Sequence, residues 1–403
     1  MKKTFFVLAI IAGFVVLTWF GYFFWKNLRG TGPLVKKPLQ DIATVVEHAQ
    51  ADSPNIPLTL PQGFQITIFA KGLGKPRVMV RDWEDTLLVS ISSHGKVVAL
   101  PDTDKNGIAD RIVTVIEGLN YPHGMAFRCA PECRLYIAEE HQVYEYSYDS
   151  RTYKAAPIRK IADLPDRGMH VSRTLLFRPK PHDNQLLISV GSSCNACVEK
   201  DQRRSKILVV PIEGGELKTF VSGLRNAVFM TVHPKTKKIW ATEMGRDMLG
   251  DEIPPDEINI IEQEKNYGWP FCYGKNVHDT DFDSKKENPC LEPVMTSSFI
   301  DIPAHSSPLG IAFFPEQGWP DEFQHDFLVA YHGSWNRSTP TGYKIVRYRL
   351  DKSGNYRGVD DFITGWLAKD RTALGRPVDI MIRPDGSLFV SDDKAGVIYR
   401  IYF

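Results

Sequence analysis

An all-β fold built from repeated four-stranded units is what this 403-residue sequence predicts, and three observations carry the prediction. Short apolar strands recur in groups along the chain. The 27 Pro and 30 Gly that punctuate them are spread rather than clustered. The last group lacks a strand that an early, otherwise unpaired segment can supply. Hydrophobic residues make up 43% of the chain and aromatics 11%, enough for a sizeable core and unlike a disordered or collagenous composition. With 49 Lys and Arg against 48 Asp and Glu, the formal charge is +1, so no global field exists to hold a polyanion and no nucleic-acid partner is expected.

In chain order the first element is apolar. Lys2 and Lys3 precede an uncharged run from Phe5 to Trp25 with no polar face. It matches the ~20 residues of a helix that crosses a bilayer and exceeds the roughly 7 to 15 of a cleaved signal. It ends in Trp19, Phe20, Tyr22, Phe23, Phe24 and Trp25 rather than in a small-x-small cleavage site. The expectation is an N-terminal transmembrane helix within residues 1–30, a tether over 31–60 and a folded domain over 61–403. That domain is expected on the periplasmic side of the inner membrane, anchored there or exported after cleavage.

The folded part repeats a grammar. Innermost strands begin the units at Arg77 (RVMV), Gly124 (GMAF), Thr174 (TLLF), Val228 (VFMTV), Gly310 (GIAFF) and Asp379 (DIMI). Each is followed by a turn and a second strand, such as TLLVSI from Thr86 or SLFVSD from Ser387, and then a third, such as KILVVPI from Lys206. Five units add a fourth strand: IVTVI from Ile112, RKIADL from Arg159, LKTFV from Leu217, VMTSSFI from Val294 and DDFIT from Asp360. The chain ends before the sixth can do so, and QITIFA (residues 65–70) can fill the place. Closing a ring with both chain ends removes exposed edges, so the prediction is a six-bladed β-propeller closed by an N-terminal strand.

Six cysteines fall into local pairs, Cys129 with Cys133, Cys194 with Cys197 and Cys272 with Cys290, and disulfides are expected in an oxidising compartment. Cys197 is followed by Val198 rather than His, which excludes a haem-attachment motif. Asp102, Asp104, Asn106, Gly107 and Asp110 spell the start of a calcium loop, but Val113 stands where the bidentate Glu would be. A structural calcium and a plain turn remain equally open there.

Registering the repeats locates a candidate site. In a propeller, the connection into each innermost strand and the loop between second and third strands open on one face. Ahead of innermost strands lie His123, His170 with Arg173, Arg225 with Asn226, His305 with Ser306 and Ser307, and Arg376. The other loops carry Gly191 to Cys197, Gly245 to Asp256 and His332 to Arg337. A ring of His and Arg is unlike ordinary solvated turns, and guanidinium groups suit a planar, carboxylated anion. The loop GRDMLGDEIPPDE offers Asp247, Asp251, Glu252, Asp256 and Glu257 as hard oxygen ligands for a metal such as calcium.

GLRN from Gly223, the Gly245 loop running into DEINII, NYGWP from Asn266, HGSWNR from His332, GRPVD from Gly375 and RPDGSLFVSDD from Arg383 resemble the quinoprotein sugar dehydrogenases. This is the pyrroloquinoline quinone-dependent glucose, aldose and sorbosone dehydrogenase family, and the resemblance covers roughly residues 60–403. It implies that His170 is the base for a sugar's anomeric hydroxyl while hydride passes to the quinone. It implies cofactor contacts at Arg225, Asn226, Arg376 and Arg337 or, less well, Lys344, with the mouth residues His123 and Arg173 added to that set. It also implies calcium at the carbonyls of Gly245 and Arg246 and at Glu257 and Tyr267, with Asp256 beside them. A sugar substrate and an external electron acceptor, a quinone or a cytochrome, complete the expected partners. Two positions depart from the family pattern: Val378 stands for a second arginine after Arg376, and Arg246 for the proline of a Gly-Pro pair. A calcium-dependent lactonase-like hydrolase and a non-catalytic binding propeller are the alternative readings.

Overall fold

A computed structural model describes residues 2–25, 57–285 and 287–403. The expected tether lies almost wholly outside the described residues. Six four-stranded antiparallel sheets make up the domain, together with a small two-stranded hairpin, Cys272–Tyr273 with Val277–His278. The first five sheets run innermost strand first in chain order, as in Met79–Arg81, Leu87–Ile91, Lys96–Leu100 and Val113–Glu117 of the first blade. The sixth consists of Pro377–Ile382, Ser387–Asp392, Val397–Tyr402 and Gln65–Ala70. In it, Gln65 pairs with Tyr402 and Ile68 with Tyr399.

The alternation of the strands explains the core. Second strands such as Leu87–Ile91 and Phe327–Tyr331 are buried at every position, because both faces of a blade pack against neighbouring blades. Fourth strands such as Tyr356–Ile363 are largely exposed along their outer portion. Between blades the packing is aromatic: Trp240 meets Phe299, Phe313 and Phe327 at ring distances of 5.0–5.3 Å. The ends of the domain meet as well. Thr59 exchanges backbone hydrogen bonds with Thr364 (2.8 and 3.0 Å), and Leu58 is buried beside Trp366.

One expectation is corrected. The fourth strand of the fourth blade is Ile300–Ile302 rather than a run from Val294. Residues just before it are drawn away, because Thr296 N–H donates to Asn266 and Ser298 N–H to Gly274, while the Cys272–Cys290 disulfide closes the excursion. At the N-terminus a helix spans Lys2–Phe23, with its side chains described from Ile10 onward. Among the described residues no helix is long and apolar enough to cross a membrane. Part of the expected transmembrane segment, residues 1 and 26–30 and the side chains before Ile10, lies outside the described residues. Phe14, Leu17, Trp19 and Phe20 of this helix are all exposed. The three expected disulfides are all formed.

Candidate functional site

Loops from the third to sixth blades enclose a cavity of about 430 Å³ at the mouth. His170, Arg225 and Arg376 all line it, although their loops are far apart in the chain. So do Gly245, Asp247 and Asp256 of the fourth-blade loop, His305 and Ser307 of the fifth-blade entry, and Trp335 with Asn336. Met169, Met244 and Met248 supply an apolar wall. The volume lies within the usual range for small-ligand sites.

The base geometry at His170 is specific. Its Nδ1 lies 3.0 Å from the Ser192 carbonyl and 2.9 Å from Ser192 Oγ, whose own proton goes to the Cys194 carbonyl at 2.7 Å. Those acceptors assign the proton to Nδ1 and leave Nε2 as a lone pair. No hydrogen bond to Nε2 is found among the described residues. Burial, reinforced by the Arg225 guanidinium, lowers the imidazole to about 3, so it is neutral. Gly191 must be small here: a Cβ would sit 2.5 Å from Asn226 Oδ1 and 2.7 Å from His170 Cβ.

Arg225 is buried in the cavity wall. Its Nε donates to the Asn195 carbonyl (2.9 Å), Nη1 to the Gly245 carbonyl (2.9 Å) and Nη2 to Asn195 Oδ1 (3.0 Å), with Asp247 Oδ2 3.4 Å away. Arg376 donates from Nε to the His332 carbonyl at 2.9 Å and from Nη2 to the Gly333 carbonyl, with its guanidinium 5.5 Å from the Tyr343 ring. His305 is a third group whose charged form is favoured. Burial opposes its charge, but Gly250's carbonyl at Nε2 (2.8 Å) and Asp247 at Nδ1 (3.6 Å) prevail and raise its pKa. Both His305 and Ser307 sit in left-handed backbone conformations, φ +66° and +54°, which such residues seldom adopt. Asp256 holds that geometry: its two oxygens accept the Gly245 and Ser307 amides, each at 2.8 Å. Burial pushes its carboxyl up to about 6.

Several predicted residues lie elsewhere. Arg173 is fully buried and donates to the carbonyls of Glu140, Pro165, His170 and Ser172 at 2.7–3.0 Å, which makes it a strut for the His170 loop rather than a cofactor contact. His123 lines a separate hollow of about 240 Å³ with Lys75, Arg77 and Asp393. Asn226 lies behind the wall, with its amide nitrogen 3.5 Å from Met244 Sδ. Arg337 is turned to Glu252 (2.7 Å) and the Ala304 carbonyl (3.0 Å), and Lys344 to Asp361 on the flank of its blade. Neither lines the cavity; the basic side chain of the fifth blade that does is His305. Asn195, Asn336 and Trp335 lie in loops that the register placed at the mouth, but no motif singled them out.

Of the implied metal set, Gly245, Arg246, Glu257 and Tyr267 come together around one small space, and Asp256 stands outside it. The Gly245 carbonyl already accepts from a guanidinium, and both Asp256 oxygens are taken by amides. Arg246 pairs with Asp279 (2.8 Å). With Glu257 and Tyr267 it borders a second space of about 20 Å³. Glu257's oxygens are held by Gly274 N–H and Asn259 Nδ2, and the Tyr267 hydroxyl by the Ile260 carbonyl. Among residues bordering that space, the unpartnered buried atoms are Glu243 Oε2, Arg246 Nε and Trp269 Nε1. One acceptor beside two N–H donors suits a hydrogen-bonding molecule of water's size, not a bare cation. The donor set does not fit calcium. Away from the mouth, Asp102, Asp104 and Asp110 do gather, with Asp102 accepting the Asn106 and Gly107 amides (3.0 and 2.9 Å). A further hollow, about 520 Å³, is lined by Asp102 of that loop, and its charges include the pairs Arg81–Asp85 and Arg383–Asp85.

A propeller with one mouth cavity lined by arginines beside a neutral histidine fits a planar anion. The group that the resemblance implies fits this lining: arginines at two places for carboxylates, and methionines and Trp335 for a flat ring. The comparisons point the same way. A family model described as TrAA12-like matches residues 58–402. An uncharacterized protein of Borreliella burgdorferi is 31% identical over 359 residues, covering 86% of this chain and 91% of that protein. A pyrroloquinoline quinone-dependent pyranose dehydrogenase of Coprinopsis cinerea is 24% identical over 89% of this chain, which spans just 56% of that enzyme. Among solved structures, the Trichoderma reesei carbohydrate-active family AA12 protein superposes with a TM-score of 0.73 at 24% identity, over 85% of this chain and 97% of that one. The holo quinone domain of the Coprinopsis enzyme gives 0.72 at 21%, over 86% and 97%. The chain belongs to the TrAA12-like family, and the resemblance to the quinoprotein sugar dehydrogenases holds.

Proposed function

We propose that this protein is a pyrroloquinoline quinone-dependent oxidoreductase that oxidises an aldose or related sugar. The observation that carries the reading is His170, with Nδ1 committed to Ser192 and Nε2 unpartnered, in the same cavity as Arg225 and Arg376. The quinone, when bound, supplies the acceptor for the substrate's hydride. The chain's own residues do the rest. Arg376 and, through its charge, Arg225 favour the carboxylates of an anionic cofactor. Neutral His170 takes the hydroxyl proton on Nε2 as the C–H bond is broken, and its Nδ1–H stays fixed on Ser192. Met169, Met244, Met248 and Trp335 exclude water from one side of the cavity and offer a flat ring an apolar surface.

Electrons then leave to an external acceptor, a quinone or a cytochrome. The three disulfides favour work in an oxidising compartment, consistent with the periplasmic side of an inner membrane. The exposed apolar side chains of the N-terminal helix support attachment to an apolar phase there.

The test supplies purified protein with the quinone, an artificial electron acceptor and a panel of sugars, with and without calcium or a chelator. Turnover with at least one sugar is expected, and chelation should change it less than about twofold, since the Asp256 and Glu257 carboxylates are already held by N–H donors. No turnover, together with no change in the quinone spectrum, defeats the reading.

A further inference from the structure

The Cys194–Cys197 bridge closes a loop whose residues reach both candidate functional groups. On one side, Ser192 Oγ joins His170 Nδ1 to the Cys194 carbonyl (2.9 and 2.7 Å), and the Met169 and His170 amides donate to the Ser193 and Ser192 carbonyls (3.0 and 3.3 Å). On the other, Asn195, one of the two residues inside the bridge, uses all its side-chain polar atoms. Its Oδ1 accepts from Arg225 Nη2 (3.0 Å) and the Asp247 amide (2.8 Å), its Nδ2 donates to the Asp247 carbonyl (3.0 Å), and its own carbonyl accepts Arg225 Nε (2.9 Å). Ser193 is tied in turn to Glu199 through its amide (2.6 Å) and hydroxyl (2.7 Å).

We propose that Asn195 is a positioning residue, and that the Cys194–Cys197 bridge holds its loop as one clamp setting the His170 tautomer and the Arg225 orientation together. A short covalent loop can do this because its ends cannot drift apart, and small misplacements of reacting groups are costly: about 1 Å can lower a rate ~10²-fold. Without the clamp, the Ser192 acceptors can leave Nδ1, the imidazole can take either tautomer, and the Arg225 guanidinium loses two of its partners. This inference rests on the proposed sugar oxidation only for its kinetic readout.

The experiment compares the unmodified protein, Cys194→Ser/Cys197→Ser and Asn195→Ala. In apoprotein labelled with ¹⁵N-histidine, nitrogen shifts report the His170 tautomer without any cofactor; His170→Gln identifies the signal. The unmodified protein should show a single Nδ1–H tautomer, and the bridge-less variant a mixture. With quinone and sugar, both variants should lose kcat about tenfold while the sugar KM moves less than threefold, with melting temperatures that show them folded. If the bridge-less variant does not fold, Asn195→Ala, which keeps the bridge, decides through the kcat-against-KM split. A wild-type tautomer in the folded bridge-less protein, or kcat within twofold in Asn195→Ala, overturns the clamp. Failure of the sugar oxidation itself would appear as an inactive unmodified protein, while the tautomer comparison still stands.

Discussion

The two halves of the mouth hold similar residue types and use them differently. Towards the first two blades, His123 sets Nδ1 3.2 Å from the Arg173 carbonyl, Arg77 pairs with Asp393 (2.7 Å), and these three side chains line a hollow of about 240 Å³ beside the buried Arg173 strut. Towards the third to sixth blades, His170, His305, Arg225 and Arg376 are also hydrogen-bonded, but each shows a face to a cavity of about 430 Å³. The difference is not the presence of a histidine or an arginine ahead of an innermost strand. It is what the neighbouring second-to-third loop does: the long Gly191–Cys197 and Gly245–Asp256 loops line the cavity and accept its hydrogen bonds, while the corresponding turn of the second blade is short. Position in the repeat brings a residue to the mouth; loop partners decide whether it is a strut or part of a site.

The largest effect is expected at His170. His170→Ala should lower turnover by about 10²- to 10⁴-fold, the usual contribution of a general base, with quinone affinity changed less than threefold. A loss under tenfold in steady-state kinetics would put the base elsewhere. Next in size, Arg376→Ala should weaken quinone binding about tenfold or more in a fluorescence titration, since it removes a guanidinium that faces the ligand. Arg173→Ala should act on the fold instead. It strips a charged donor from four carbonyls, one of them fully buried, and a loss of about 3 kcal/mol in urea unfolding is expected, with quinone affinity in the folded protein unchanged. Equal stability would show that the strut is dispensable.

A smaller effect depends on pH. His170 is lowered from 6.5 to about 3 in the folded protein, whereas the unfolded chain binds its proton below about 6.5. Its contribution to stability is therefore complete above pH 6.5 and declines as pH falls, by about 1 kcal/mol per unit. Relative to the native chain, His170→Gln should gain stability between pH 7 and 5, and an unchanged difference in denaturant midpoints would contradict the burial. The smallest effect is expected at Arg337→Ala, with turnover and quinone affinity within twofold, because that side chain faces Glu252 at the rim.

The architecture was legible because blades impose a period: strand, turn and buried second strand recur with little variation, and the lone QITIFA segment stood out against them. The fourth strand of the fourth blade was misread because VMTSSFI has β-type composition throughout, while hydrogen bonds from Thr296 and Ser298 to a distant excursion decide where pairing starts. In the site, His170, Arg225 and Arg376 were found because their strand register is fixed. Arg337 and Lys344 were not separated from true lining residues, since two or three positions along an irregular loop reverse the direction of a side chain. His305 was in view as a mouth residue, yet its charge depends on Asp247 and the Gly250 carbonyl, contacts across a long loop that no local pattern encodes. In the implied metal set, the Asp256 and Glu257 carboxylates are held by N–H donors from other segments, contacts that their density in sequence does not reveal.

On the proposed function, the third-to-sixth-blade half of the mouth holds an anionic quinone beside His170. Titrating quinone into the unmodified protein, Arg376→Ala and Arg337→Ala while following tryptophan fluorescence tests it most directly, because Trp335 lines the cavity. The account predicts one-to-one quenching, weakened at least tenfold by Arg376→Ala and left alone by Arg337→Ala. Binding that ignores Arg376, or no binding to the unmodified protein with or without calcium, would contradict it.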